Sequence, residues 1–145
     1  MSNQREKRLT RYLLKILLVT MIGLGADMAA AATYGVFRNP SGSVKVRLVD
    51  CGGQLCGTIV AANAKARADA AKAGQIKLIG MQLFRNLVPV SQPKGAPRRW
   101  EGEVYIPDKD RTVAGNVTLR GKILEVTGCL LGDALCKSQE WVRTN

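Results

Sequence analysis

With 145 residues, 22 basic against 11 acidic side chains and no histidine, the chain suits one small domain, is strongly cationic at +11, and lacks the commonest general base and metal ligand. A Ser-His-Asp triad, a Cys-His dyad and a His-bearing zinc site are excluded within it. Its two Trp, three Tyr and two Phe are too few for a platform that stacks nucleic-acid bases.

Residues 1–32 have the pattern of a secretory signal peptide. Arg5, Lys7, Arg8, Arg11 and Lys15 form a basic n-region, and Ile16–Ala26 an apolar run. Ala29–Ala32 then offers an A-x-A cleavage site before Thr33. The run is short for a membrane span, and Lys15 interrupts any longer one. The expected working protein is therefore the single domain 33–145, periplasmic or secreted. The leader takes five of the 22 basic and two of the 11 acidic residues, which leaves 17 and 9 and a net charge of about +8. These basic residues are scattered, with Arg98–Arg99 the one adjacent pair. They predict a solvated face with weak attraction to anionic envelope surfaces and no specific nucleic-acid site.

From Tyr34 onward the chain reads as short strands with apolar residues at every second position. The expected strands are Tyr34–Arg38, Ser43–Cys51, Leu55–Val60, Ile76–Phe84, Arg99–Ile106, Thr112–Arg120, Lys122–Leu130 and Leu135–Arg143. Val44, Val46 and Leu48 share one face, with Lys45 and Arg47 on the other. A type II′ turn at Gly53–Gln54 would set Cys51 opposite Cys56 and Leu48 opposite Ile59. The alanine-rich segment Ala61–Gly74 predicts a short, weakly packed helix with Gly74 as its stop. Gln75–Val90 is ambiguous at its end, where Leu87 and Val88 either continue the strand or begin the loop. Ser91–Pro97, with two prolines and a glycine, is a loop.

Trp100, Gly102, Val104 and Ile106 alternate with Glu101, Glu103 and Tyr105. Asp108 and Asp110 share one turn with Lys109 and Arg111. They read as turn formers; no calcium-binding oxygen pattern surrounds them. Glu101 and Glu103 read as an outward, solvated face, not a glycosidase pair. A Gly121–Lys122 turn would set Leu119 opposite Leu124 and Val117 opposite Val126. A turn at Gly132–Asp133 would set Cys129 opposite Cys136, on a hydrogen-bonded pair.

Four cysteines allow three pairings. The two hairpins favour Cys51–Cys56 and Cys129–Cys136, with either cross-pairing as the alternative. Spacings of C-x4-C and C-x6-C behind an export signal fit disulfides better than zinc, and no C-x-x-C redox pair is present. Neither a metal nor another cofactor is expected.

Eight strands joined mostly by tight turns predict an all-β, antiparallel up-and-down barrel with one inserted helix. Its interior would be nearly filled by side chains or hold one small ligand. Trp100 and Trp141 would plug the core or stack on that ligand. Arg143 would cap the barrel end against an indole, with Gln139 beside it at a pocket mouth. With Tyr105 these are the candidate ligand-binding residues.

Four blocks resemble one family. Val46–Val60, VRLVDCGGQLCGTIV, is similar to the CGxxLCGxI signature of the DUF2147 family of small exported bacterial proteins. Trp100–Pro107 is similar to its W-x-G-x-x-Y-x-P motif, and Gly128–Leu131 with Cys136–Arg143 to its closing GC…C-x-x-Q-x-W-x-R. The chain departs from the family at Val36–Phe37, where a Trp is usual. It departs again at Ala61–Gly74, and in the turn after Pro107, which lacks glycine. The resemblance implies a lipocalin- or streptavidin-like barrel and no particular activity. The expected function is non-enzymatic binding of a small apolar or amphipathic ligand. The alternative is an interaction module of the cell envelope with a filled interior and a basic outer surface.

Overall fold

The computed structural model describes residues 31–132 and 134–144. The leader expected at 1–32 falls, as far as residue 30, outside them. Eight antiparallel strands close into a barrel in sequential order. They are β1 (Thr33–Arg38), β2 (Val44–Asp50), β3 (Leu55–Ala62), β4 (Gln82–Val90), β5 (Arg98–Ile106), β6 (Arg111–Arg120), β7 (Ile123–Leu131) and β8 (Ala134–Thr144). One helix, α1 (Ala64–Lys72), links β3 to β4, and a 3-10 turn at Pro107–Lys109 links β5 to β6.

Two-residue alternation builds the core. Val46, Leu48, Leu55, Ile59, Phe84, Leu87, Val104, Val113, Val117, Leu124 and Val126 are all buried. Each large aliphatic or aromatic side chain removed from water contributes about 1.5–3 kcal/mol before chain entropy is set against it. The expected pairings Leu119–Leu124 and Val117–Val126 are present.

Three details of the strands and their cross-links differ from the sequence reading. First, β4 runs from Gln82 to Val90, not from Ile76 to Phe84. Ile76 is 92% exposed and lies in the link after α1. The alternation that suggested a strand there belongs to a connection that turns at Gly80 (φ 89°). Leu87 and Val88 do continue the strand, through a bulge at which Asn86 takes φ 51°.

Second, the β2–β3 turn centres on Gly52–Gly53, both left-handed at φ 83° and 84°, not on Gly53–Gln54. The Cys51 N–H donates to the Gln54 carbonyl at 2.9 Å, and the Gly53 N–H to Asp50 Oδ1 at 2.8 Å. Two adjacent residues at positive φ match a type I′ turn, which two glycines adopt without strain. Moving the turn by one residue moves the register by two. Leu48 therefore opposes Gly57 and Val46 opposes Ile59, while every side chain keeps its face.

Third, Cys56 opposes Val49, so the Cys51–Cys56 bridge runs diagonally. The Cys129–Cys136 bridge joins directly opposed residues. Their Cα atoms are 4.0 Å apart, closer than the wide, hydrogen-bonded pair that counting from the turn gave. Leu135, at φ 55°, distorts that hairpin. Both expected disulfides are present.

The helix begins later than expected because Ala61 and Ala62 complete β3. Asn63 caps it, its Oδ1 accepting the Ala66 N–H at 2.8 Å. Ala70 is its one buried residue.

Glycine governs how tightly the sheet curls. Gly102, Gly115 and Gly128 stand opposite one another across β5, β6 and β7. A Cβ on Gly102 would lie 2.3 Å from the Asn86 carbonyl oxygen, and one on Gly115 would lie 2.4 Å from that of Thr127. Side chains are absent where neighbouring backbones crowd together, which lets the strands bend inward.

Candidate functional site

The link containing α1, the Pro107–Lys109 turn and the β7–β8 hairpin all join strands at the same end of the barrel. Beneath them opens a cavity of about 510 Å³. That volume lies within the roughly 300–1,000 Å³ of small-molecule sites. Most of its wall is apolar and comes from inward positions of the strands: Ile59, Leu83, Phe84, Val104, Val113 and Val126. Leu78 and Ala70, from the link and the helix, close one side.

Polar residues enter the lining from the β1–β2 turn (Asn39, Ser43), from α1 (Asp69), from the Pro107–Lys109 turn (Asp108, Lys109) and from β8. Lys137, Gln139 and Trp141 are alternate residues on one face of this strand, and all three line the cavity. Lys137 stands opposite Gly128, which has no side chain to occupy the space in front of it. Trp141 is buried and packs on Phe84, ring centroids 5.8 Å apart. Its indole Nε1–H is buried without a hydrogen-bond partner. A buried donor left unpaired costs about 1–3 kcal/mol. Leu130 and Leu135 line the opening and are exposed.

Of the five candidate ligand-binding residues, the fold brings Tyr105, Gln139 and Trp141 to this cavity. Trp100 lies toward the opposite end, edge-to-face with Tyr34 at 5.4 Å, and plugs the barrel there. Arg143 is also at that end. Its guanidinium lies over the Phe37 ring at 5.1 Å, not over an indole, and its Nη2 donates to the Gly121 carbonyl at 3.4 Å. Strand direction explains the separation, because alternate residues of one strand span its full length. Lys137 is the cavity residue that sequence reasoning missed. The two-residue alternation that turns Gln139 and Trp141 inward turns it inward too.

Tyr105 is buried although it shares one face of β5 with Glu101 and Glu103. Arg85 covers its ring at 4.4 Å, and its hydroxyl donates to Asp110 Oδ1 at 2.6 Å. Gln75 Nε2 donates to the same oxygen at 3.0 Å, tying the link after α1 to this turn. Asp110 itself adopts φ 44°. It is the turn former that the sequence suggested. Glu101 and Glu103 are exposed, paired with Arg99 and Asn86 respectively.

The hydrogen bond to Asp110 raises the Tyr105 phenol above its ordinary value; burial and the Asp110 charge add to this and Arg85 opposes it. A proton held more tightly in the folded state stabilises the fold fully below the unfolded phenol value of about 10. That contribution is lost as pH rises through the folded value. We expect Tyr105→Phe to lower stability by about 1–2 kcal/mol at neutral pH, with the deficit shrinking above about pH 10. Denaturant midpoints of both proteins between pH 7 and pH 11 check this. A deficit that does not change with pH would contradict the assignment.

Among the described residues no three His, Cys, Asp or Glu side chains cluster as a metal ion would need. The described residues thus form a small up-and-down β-barrel, cross-linked twice, with an apolar hollow opening at one end. The chain belongs to the DUF2147 family, described as an uncharacterized protein conserved in bacteria, whose model matches residues 35–143. No curated protein and no solved structure matches the chain. The motif residues have physical roles in this fold. Gly57 of the first block lies under the Phe84 ring, Gly102 of the second meets the β4 backbone, and Trp141 of the last lines the cavity.

Proposed function

We propose that this barrel is a non-enzymatic binding protein, working outside the cytoplasm, that holds a small apolar or amphipathic molecule inside its calyx. The observation that carries the reading is the cavity of about 510 Å³, apolar over most of its wall and polar along β8. It favours binding over the alternative, an envelope interaction module with a filled interior. Both disulfides support an oxidising compartment. The absence of histidine supports a role in binding over one in catalysis.

The test is titration with N-phenyl-1-naphthylamine, a neutral fluorophore that brightens in apolar surroundings. The expected result is a saturable, one-to-one rise in emission. Gln139→Trp places a large ring in the cavity from an exposed strand position, so the fold should persist. It should weaken probe binding by about tenfold or more, a loss of about 1.4 kcal/mol. Absence of saturable binding, or equal binding by a folded Gln139→Trp protein, would remove the proposal.

A further inference from the structure

The geometry points to a particular ligand class: an anionic amphiphile whose acid group meets Lys137 at the opening and whose apolar body lies in the hollow. This rests on the binding reading above. Lys137, Gln139 and Trp141 recur at every second residue, so they form a line from the opening toward the barrel's depth. Steps of two strand residues place the first and last about 13 Å apart along β8. Across the cavity stand Ile59, Leu83, Phe84 and Val104, which offer contact and no hydrogen bonds. A molecule with an apolar body and a polar head matches these walls.

Charge sets the identity of the head. Four charged side chains line the cavity: Asp69, Asp108, Lys109 and Lys137. Asp69 is already paired with both Lys65 and Lys72. Asp108 adjoins Lys109 in the same turn. Neither Lys109 nor Lys137 has an ion-pair partner among the described residues; opposite Lys137 stands a glycine, which leaves its ammonium room to reach inward. An ammonium at the edge of an apolar hollow favours a carboxylate or phosphate over a neutral or cationic head.

Competition against bound N-phenyl-1-naphthylamine separates the parts, with each competitor kept below its aggregation concentration. Ricinoleate should displace the probe about tenfold better than its methyl ester, the difference expected of a charge-assisted contact. Lys137→Met should abolish that preference. Lysophosphatidic acid distinguishes a phosphate head from a carboxylate: whichever acid competes better names the head. If acid and ester compete equally, or if Lys137→Met keeps the preference, this inference is overturned while probe binding leaves the cavity reading intact. If the probe itself does not bind, the cavity reading fails instead.

Discussion

Gly57→Ala is expected to destabilise the protein by about 2–3 kcal/mol, in the range of core overpacking. A methyl group at position 57 would lie 2.2 Å from Cδ2 of Phe84, 2.9 Å from its Cγ and 3.0 Å from its Cβ. The whole ring must move, because the clash reaches its root and not only a flexible tip. Phe84 is fully buried, opposes Gly57 across the β3–β4 pair and packs on Trp141. An aromatic ring laid over a cross-strand glycine covers backbone that would otherwise be bare, and its area adds to the core. Adding Phe84→Leu to Gly57→Ala should therefore cost less than the two single changes summed. Urea midpoints of the four proteins give the coupling directly. A Gly57→Ala protein within about 0.5 kcal/mol of the parent would show that the contact does not constrain the barrel.

Removing residues 142–145 should have the largest effect. Only Val142, Arg143 and Thr144 of β8 pair with β1, opposite Arg38, Phe37 and Val36. This is the seam that closes the barrel. Thr144 also donates a side-chain hydrogen bond to the Val36 carbonyl, and Arg143 covers the fully buried Phe37. Truncation after Trp141 removes these backbone bonds, worth about 1 kcal/mol each, and uncovers an aromatic side chain worth about 1.5–3 kcal/mol. The expected loss is about 4–6 kcal/mol, comparable with the whole stability of a small domain. It also leaves β1 and β8 as open edges able to pair with other chains. Calorimetry should give a weak, broad transition, and light scattering a mass above that of a monomer. A truncated protein that stays monomeric and melts within a few degrees of the parent would mean that the seam is dispensable.

Much of this architecture was legible in the chain because alternation is local. Val117 and Val126 face each other through a Gly121–Lys122 turn that four neighbouring residues define. The cysteine pairs were legible for the same reason, since each bridge closes a single hairpin. The β2–β3 register was less so. Of two adjacent glycines either can open a turn, and the choice of Gly52–Gly53 over Gly53–Gln54 depends on Asp50 accepting the Gly53 N–H. The start of β4 was misplaced because Ile76, Leu78 and Ile79 mimic a strand. In the fold only Leu78 of the three is buried, beneath the helix link. The site was legible only in part. Gln139 and Trp141 stood out as polar and aromatic residues on an inward face. Which end of the barrel each candidate reaches depends on all eight registers together, and so Trp100 and Arg143 were grouped with residues far along the tube. The row Gly102–Gly115–Gly128, evenly spaced in the chain, acquires meaning only once its strands are paired.

The central claim is that the barrel's interior, and not its leucine-bearing rim, takes up a guest. Methyl-resolved NMR during titration with N-phenyl-1-naphthylamine tests this most directly. The account predicts saturable shifts and intermolecular contacts at the methyl groups of Leu83, Val104, Val113 and Val126, which line the cavity. Shifts confined to the exposed methyls of Leu130, Leu131 and Leu135, with the interior signals unmoved, would contradict it.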